Sequence, residues 1–343
     1  MTTPLQLSTE ILELHTRHPF RIARKGPEAI RTLLVRIRDA DGVEGVGEAT
    51  PQLFYGETVE SAQAAVDRYA AVLGSDPLDL EGIENRMMRA LTGNASARAA
   101  VSTALHDLVG KRLGVPVYRM WGLDQATIPL STFTIGIDTP EMIRKKVQEA
   151  AQHPILKVKL GSDHDLAILE AIRSETDREL RVDANGGWTV KQAVRMLPIL
   201  EEFGVTVLEQ PLPADDLDGA AVVTRHSRIP VFADESCHVA ADIPRLVGRF
   251  DGVNLKLAKC GSLREALRLI HTARAHHLMV MVGCMIESSV GITAAAQVTP
   301  LVDMIDLDGA ALLADDPWSG ATLVAGRLTL PTAPGLGVAP RGQ

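Results

Sequence analysis

Aromatic side chains are scarce: Phe, Trp and Tyr together make up 3% of the 343 residues. A base-stacking surface for single-stranded nucleic acid needs such rings. Basic charge is also short. The 35 Lys and Arg are outnumbered by 43 Asp and Glu, giving a formal net charge of −8. No basic stripe stands out, which argues against nucleic acid as a partner. Three cysteines, Cys237, Cys260 and Cys284, make no disulfide framework and read as small buried apolar residues. The longest apolar run is about Leu278 to Ile286, too short to cross a bilayer. Residues 1–20 lack the apolar stretch of a secretory signal. The expected setting is a reducing cytoplasm, with no membrane partner. What remains, 46% hydrophobic and 23% charged, is an ordinary soluble globular composition.

The texture of the chain changes once. Up to about Trp121 it reads as antiparallel β followed by helices. LQLSTEILEL and TLLVRIRDADGVEGVGEA are strand-like, with DADG as a hairpin turn. SARAAVSTALHDLVGKRLG then reads as a helix with Val101, Leu105 and Leu108 on one apolar side and Gly114 as its stop. Beyond it, β-branched runs alternate with helical segments. The expected strands cover 128–136, 155–161, 179–185, 205–211, 229–236, 252–259, 277–285 and 304–309. Such a βα repeat implies a parallel sheet, and eight strands suggest a closed β/α barrel. An open doubly wound sheet is the alternative, but no GxGxxG follows the first strand to support it. From Ala321 the chain is again strand-like and then rich in Pro and Gly.

Buried parallel strands should be nearly all apolar. Six of these carry ionisable residues near their C-terminal ends: Lys159, Asp183, Glu209, Asp234, Lys256 and Asp306. Successive intervals are 24, 26, 25, 22 and 50 residues, the last being two steps of 25. One such strand would mark a solvated loop edge. Six at one interval mark a common height, and in a barrel that height is the C-terminal rim, where active sites form. Alternation along a strand turns Lys157, Lys159, Asp183, Asn185, Lys256, Asp306 and Asp308 toward the barrel axis. Lys259 has the outward parity or lies just past its strand.

Asp183, Glu209 and Asp234 sit on three consecutive strands. Three like charges at one point need a cation, and Arg181 alone cannot answer three acids. All-oxygen ligation indicates a hard metal, Mg²⁺ before Mn²⁺, one per subunit. Lys159 lies one strand before this set and Lys256 one strand after it. They approach a bound substrate from opposite faces. That arrangement suits abstraction of a proton next to a carboxylate, with the metal stabilising the enediolate. One lysine acts as base and the other as acid, inverting the carbon between them. For the base to be neutral its pKa must fall, and nearby positive charge is expected to lower it: Lys157 beside Lys159, Lys259 near Lys256, and the metal for both.

The motifs LKVKLG, RVDANGGW, LEQP, ADES and NLKLAKCGS resemble those of the enolase superfamily, within it the muconate-lactonising-enzyme subgroup. The resemblance spans nearly the whole chain. It implies an α/β fold, a modified TIM barrel (β/α)7β with an N-terminal α+β capping domain: cap 1–125, barrel 126–320, and a segment 321–343 packing back on the cap. It also implies Mg²⁺ on Asp183, Glu209 and Asp234, Lys159 and Lys256 as the acid/base pair, Lys157 on the substrate carboxylate, and Asn185 and Lys259 behind the metal. Ser262 replaces the second glycine of the family's KxxKxGG motif, which bears on local loop geometry. GCMIESSVGITAAA and the Asp306-Leu307-Asp308 run resemble the dipeptide epimerases, where this last acid pair grips a free α-ammonium. Two inward acids not needed for the metal want a cation in any case. Thr134, Cys284 and Met285 fall where that family contacts the dipeptide, while Ser288 reads equally as a helix N-cap. Two cap loops, PFRIARKGPEA and PQLFYGETVE, should close over the site, with Lys25, or Arg24 beside it, near the substrate side chain. The implied partner is a small dipeptide, and the implied assembly a homo-oligomer. N-acyl amino acid racemases, o-succinylbenzoate synthases and muconate cycloisomerases share the scaffold, but their substrates lack the ammonium. A non-catalytic binding protein would not need the acid, base and metal residues together.

Overall fold

A computed structural model describes residues 3–23 and 30–342; Arg24 and Lys25 lie outside the described residues. Three strands, β1 Gln6–Leu14, β2 Ile30–Arg38 and β3 Glu44–Ala49, form an antiparallel sheet in that order. The β2–β3 connection turns on Asp39, whose carboxylate accepts the N–H groups of Asp41 and Val43, both at 3.0 Å. Gly42 takes φ 83°, the left-handed region that a β-carbon disfavours.

Helices α1 Val59–Ala70, α2 Leu80–Ala90 and α3 Ala95–Leu113 follow. α3 is buried continuously from Ser96 to Gly110, as befits a helix packed on every side. One side lies on β3, where a β-carbon on Gly45 would fall 2.0 Å from the Ala104 carbonyl oxygen and one on Gly47 2.1 Å from that of Ala100. These glycines serve close approach rather than a turn. Another side meets the barrel, where the Leu263 N–H donates to the Ser102 hydroxyl at 3.3 Å. The single apolar face expected from Val101, Leu105 and Leu108 is therefore only part of what this helix buries.

After α4 Val117–Met120 comes a sheet of eight parallel strands in chain order: β4 Phe133–Ile135, β5 Ile155–Lys159, β6 Glu179–Asp183, β7 Val205–Glu209, β8 Val231–Ala233, β9 Gly252–Leu255, β10 Met279–Gly283 and β11 Met304–Asp306. A bridge from Ser131 to Ile305 brings the last strand beside the first and closes the barrel. The helices are α5 Pro140–Glu149, α6 Asp165–Arg173, α7 Val190–Glu202, α8 Leu217–His226, α9 Ile243–Leu246, α10 Leu257–Cys260, α11 Leu263–Ala275 and α12 Ser289–Ala296. A 3₁₀ turn, Gly309–Leu312, follows β11 in place of a helix, which gives the (β/α)7β form. Leu156, Val158, Val182, Leu255 and Ile305 pack outward in the main core. Val207, Phe232 and Met281 fill the barrel interior.

Every expected strand is present, and each stops short of its expected end. The residues beyond leave the ladder to build the rim. After β9 the chain turns helical at Leu257, so strand parity does not govern Lys259. Ser262 caps α11, accepting the Glu265 N–H at 2.9 Å, and donates to Glu84 on α2 at 3.1 Å. The serine that departs from the family glycine thus ties barrel to cap. Near the end of the chain, the Leu336 N–H donates to buried Asp107 on α3 at 2.7 Å. Asp107 also accepts the Val46 N–H at 2.8 Å. Among the described residues no helix is long and apolar enough to cross a membrane.

Candidate active site

The strand ends bring the expected residues together. Asp183 closes β6, Glu209 closes β7 and Asp234 follows β8. Each offers a carboxylate oxygen, and the three oxygens lie within 4.8 Å of one another. All three residues are buried. Local structure explains the convergence. Gln210 sits at φ 34°, and its side-chain oxygen accepts the Asp234 N–H at 2.9 Å. Asn185, at φ 45°, donates its own N–H to Asp183 at 2.8 Å and its amide to the same carboxylate at 3.2 Å. Asn254 on β9 donates to Glu209 at 2.8 Å. The donor set is all oxygen, with three carboxylates and neither His nor Cys, which fits a hard divalent cation.

Four lysines surround this set. Lys159 Nζ lies 2.6 Å from Asp183, and Lys256 Nζ lies 2.8 Å from Asp234. These two ammonium groups thus attach to the first and last members of the triad. Lys259 reaches back from α10 to Asp234 at 2.5 Å and to the Asn254 carbonyl at 2.9 Å, behind the acids. Lys157 lies between the triad and the last strand, 2.7 Å from Glu209, 3.3 Å from Asp183 and 2.6 Å from Asp306.

Electrostatics departs from expectation here. Burial disfavours the charge on Lys157, but Asp306, Glu209 and Asp183 outweigh it and hold its pKa well above the usual lysine value. Burial likewise opposes Lys256, and Asp234 leads the groups that raise it. The expected lowering of the base by the metal and the neighbouring lysines concerns Lys159 and Lys256; among the protein's own groups, Asp234 raises Lys256 more than Lys157 lowers it. The acids divide. Burial would raise Asp183, but Lys159 and Lys157 hold it below the usual range. Asp234 is lowered in the same way by Lys256 and Lys259. Glu209 is pushed up to about 7, by burial first and then by Asp183.

On the last strand, Asp306 accepts from Lys157 and, at 2.6 Å, from the Thr132 hydroxyl. It is held low despite burial, chiefly by Lys157 and Lys159. Asp308 accepts the Thr134 N–H at 2.5 Å and is pushed up to about 7 by burial and Asp306. Among the described residues, Asp306 of these two expected cation-seeking acids is paired with a lysine and Asp308 is not. Cys284 lies beside them; burial, Asp306 and Asp308 raise its thiol well above the usual value. Ser288 caps α12, accepting the Val290 N–H at 3.1 Å, so its capping reading holds.

The cap covers this end of the barrel. The Ile137 N–H donates to the Arg21 carbonyl at 2.9 Å, and a β-carbon on Gly161 would come 2.9 Å from that of Ala23. The Tyr55 ring meets His238 edge-on at 5.2 Å between centroids. A cavity of about 540 Å³ opens beside the last strand, bordered by Phe20, Phe133, Thr134, Ile292, Leu307 and Leu313. Sequence reasoning missed Asn254, Gln210 and Thr132. Asn254 was within reach, since it shares strand parity with Lys256. Gln210 and Thr132 carry no charge and follow no interval.

Comparison with known proteins agrees with this architecture. The mandelate racemase / muconate lactonizing enzyme N-terminal domain matches residues 7–122, and the enolase C-terminal domain-like family matches residues 141–343. The chain is 45% identical over 328 residues to the L-Ala-D/L-Glu epimerase of Bacteroides thetaiotaomicron, spanning 95% of this chain and 85% of that protein. The dipeptide epimerase of Cytophaga hutchinsonii, solved with Mg and D-Ala-L-Val, superposes with a TM-score of 0.94 at 30% identity, covering 100% of this chain and 97% of that one. The dipeptide epimerase of Enterococcus faecalis V583, solved with Mg and L-Leu-L-Tyr, gives 0.93 at 32% identity, covering 98% and 100%.

Proposed function

The chain belongs to the mandelate racemase / muconate lactonizing enzyme family, and on that premise we propose that it is a Mg²⁺-dependent dipeptide epimerase. The reading has it invert the α-carbon of the C-terminal residue by proton transfer between Lys159 and Lys256. The observation that carries it is the attachment of these two lysines to opposite members of one buried acid triad, Asp183 and Asp234. Asp183, Glu209 and Asp234 would hold the cation, which when bound offsets the negative charge that builds on the substrate carboxylate.

The chain's own residues do the rest. Lys157 binds the substrate carboxylate from the side facing the last strand. One of Lys159 and Lys256 takes the α-proton from one face, and the other, protonated, returns a proton to the opposite face. The C–H bond breaks toward one amine and a new one forms from the other, so the centre inverts without net gain or loss of protons. Asp308, with Asp306 beside it, receives the free amino group, next to Thr134. Cys284 lies along the same edge. Burial of all these groups strengthens each electrostatic contact by excluding water.

The test is incubation with a dipeptide panel and Mg²⁺ in D₂O, following α-proton exchange by NMR. Exchange and epimerisation at the C-terminal residue are expected, lost on chelation of the cation and reduced about 10²–10⁴-fold in Lys256→Ala. No exchange with any dipeptide, or full activity in Lys256→Ala, sinks the reading.

A further inference from the structure

Two buried carboxylates lie outside the acid triad, on the seam between cap and barrel. Glu48 on β3 accepts the N–H groups of Ser288 at 3.2 Å and Gly291 at 3.0 Å, and the Ser288 hydroxyl as well. A cap side chain thus covers the first turn of α12. Glu287 stands one residue before Ser288. Its carboxylate accepts the Thr50 hydroxyl at 2.9 Å, and the nearby Met285 main chain favours its charged form. It rests against α12, where a β-carbon on Gly291 would come 2.5 Å from Oε2. Only 8% of Glu287 is exposed.

The segment that Glu287 braces leads to the last strand. The Met285 carbonyl presses on Gly309, where a β-carbon would lie 2.2 Å from its oxygen. The same β-carbon would come 3.2 Å from the Cys284 sulfur, and Gly309 directly follows Asp308. Contacts therefore run without a gap from Thr50 in the cap, through Glu287 and Met285, to the acid pair.

We propose that Glu287 is a positioning residue: it braces the Cys284–Met285 turn against Thr50 of the cap and so fixes Asp308, which receives the amino group of the substrate. Glu287 itself touches no reacting atom. The inference rests on the dipeptide reading above. Burial, then the nearby Glu48, raise the Glu287 pKa to about 8, against the smaller pull of Thr50, Met285 and Lys256. At neutral pH the side chain carries its proton and bridges cap and barrel without a counter-ion. Losing such a buried bridge leaves the Thr50 hydroxyl without this acceptor.

Steady-state epimerisation at saturating Mg²⁺ tests this with Glu287→Ala, Glu287→Gln and Thr50→Val. Glu287→Ala should raise KM about tenfold and Thr50→Val about threefold, with kcat within about twofold in both. The neutral, isosteric Glu287→Gln should restore KM to within about twofold of wild type. Unchanged KM in Glu287→Ala and Thr50→Val, or a fall confined to kcat, overturns the inference and leaves the epimerase reading standing. If Glu287→Ala fails to fold, Thr50→Val decides alone, an unchanged KM again overturning it. A wild-type protein that exchanges no dipeptide α-proton overturns the functional reading, and this inference with it.

Discussion

At the barrel rim, Asp183 and Asp234 are buried beside lysine ammonium groups. At the seam, Glu48 and Glu287 are buried beside hydroxyls and main-chain N–H groups. Burial alone would push all four pKa values upward. At the rim the lysines reverse that push, and both aspartates are held low. At the seam no cation among the described residues lies close enough to reverse it, and both glutamates are raised. Equal burial therefore leaves carboxylates held low in one place and pushed up in the other. The partner, not the depth, decides which.

The largest expected effect contrasts one residue from each set. Asp234→Asn leaves Lys256 and Lys259 buried without their main counter-charge, so it should cost about 3–5 kcal/mol of stability. On the epimerase reading, turnover should fall at least about 10²-fold with it, because Asp234 would also hold the cation. Glu48→Gln replaces a side chain already pushed toward its neutral form, so about 1 kcal/mol or less is expected. Chemical denaturation of both variants checks the pair, and equal losses would break the comparison.

A smaller contrast lies within the last strand, where Asp306 follows the rim pattern and Asp308 the seam pattern. Asp306→Asn frees Lys157 from one of its carboxylates and should lower kcat/KM about a hundredfold, against about tenfold for Asp308→Asn. Equal losses would mean that the two acids share a single charge.

The smallest effect is one of pH. The Glu287 pKa rises from an ordinary 4.5 to about 8 in the fold. Between those values the unfolded chain gives up the proton while the folded one keeps it. Stability from this group is therefore lost as pH rises through that window. Glu287→Gln removes the loss, so its melting temperature should gain about 2–4 °C on wild type between pH 5 and pH 8. A difference that stays flat across that range would sharpen the comparison against Glu287.

The same contrast explains what the sequence could disclose. Rim charges recur every 22 to 26 residues because each βα unit places one at the same height. A repeated unit writes its geometry into spacing, so the barrel, the triad and the two lysines were legible. The seam has no repeat. Glu48 and Glu287 meet only because a cap strand docks on the start of α12, and no interval announces a docking. Lys259 was ambiguous for a related reason: alternation applies only while the strand lasts, and β9 ends at Leu255. The pull of Asp234 on Lys256 was not legible, because spacing gives order along the rim but not distances.

Asp107 has a bearing on how the molecule is made. Its two oxygens accept N–H groups from Val46 and Leu336, one upstream and one 229 residues downstream. As the polypeptide is synthesised, the first donor is present before Asp107 emerges and the second arrives after the whole barrel. Burial raises the Asp107 pKa, so an incomplete donor set carries a real cost. The helix at the centre of the first domain therefore waits for the last segment of the chain. Contacts of such long sequence separation slow folding, and this one ties α3 of the cap to a residue beyond the barrel.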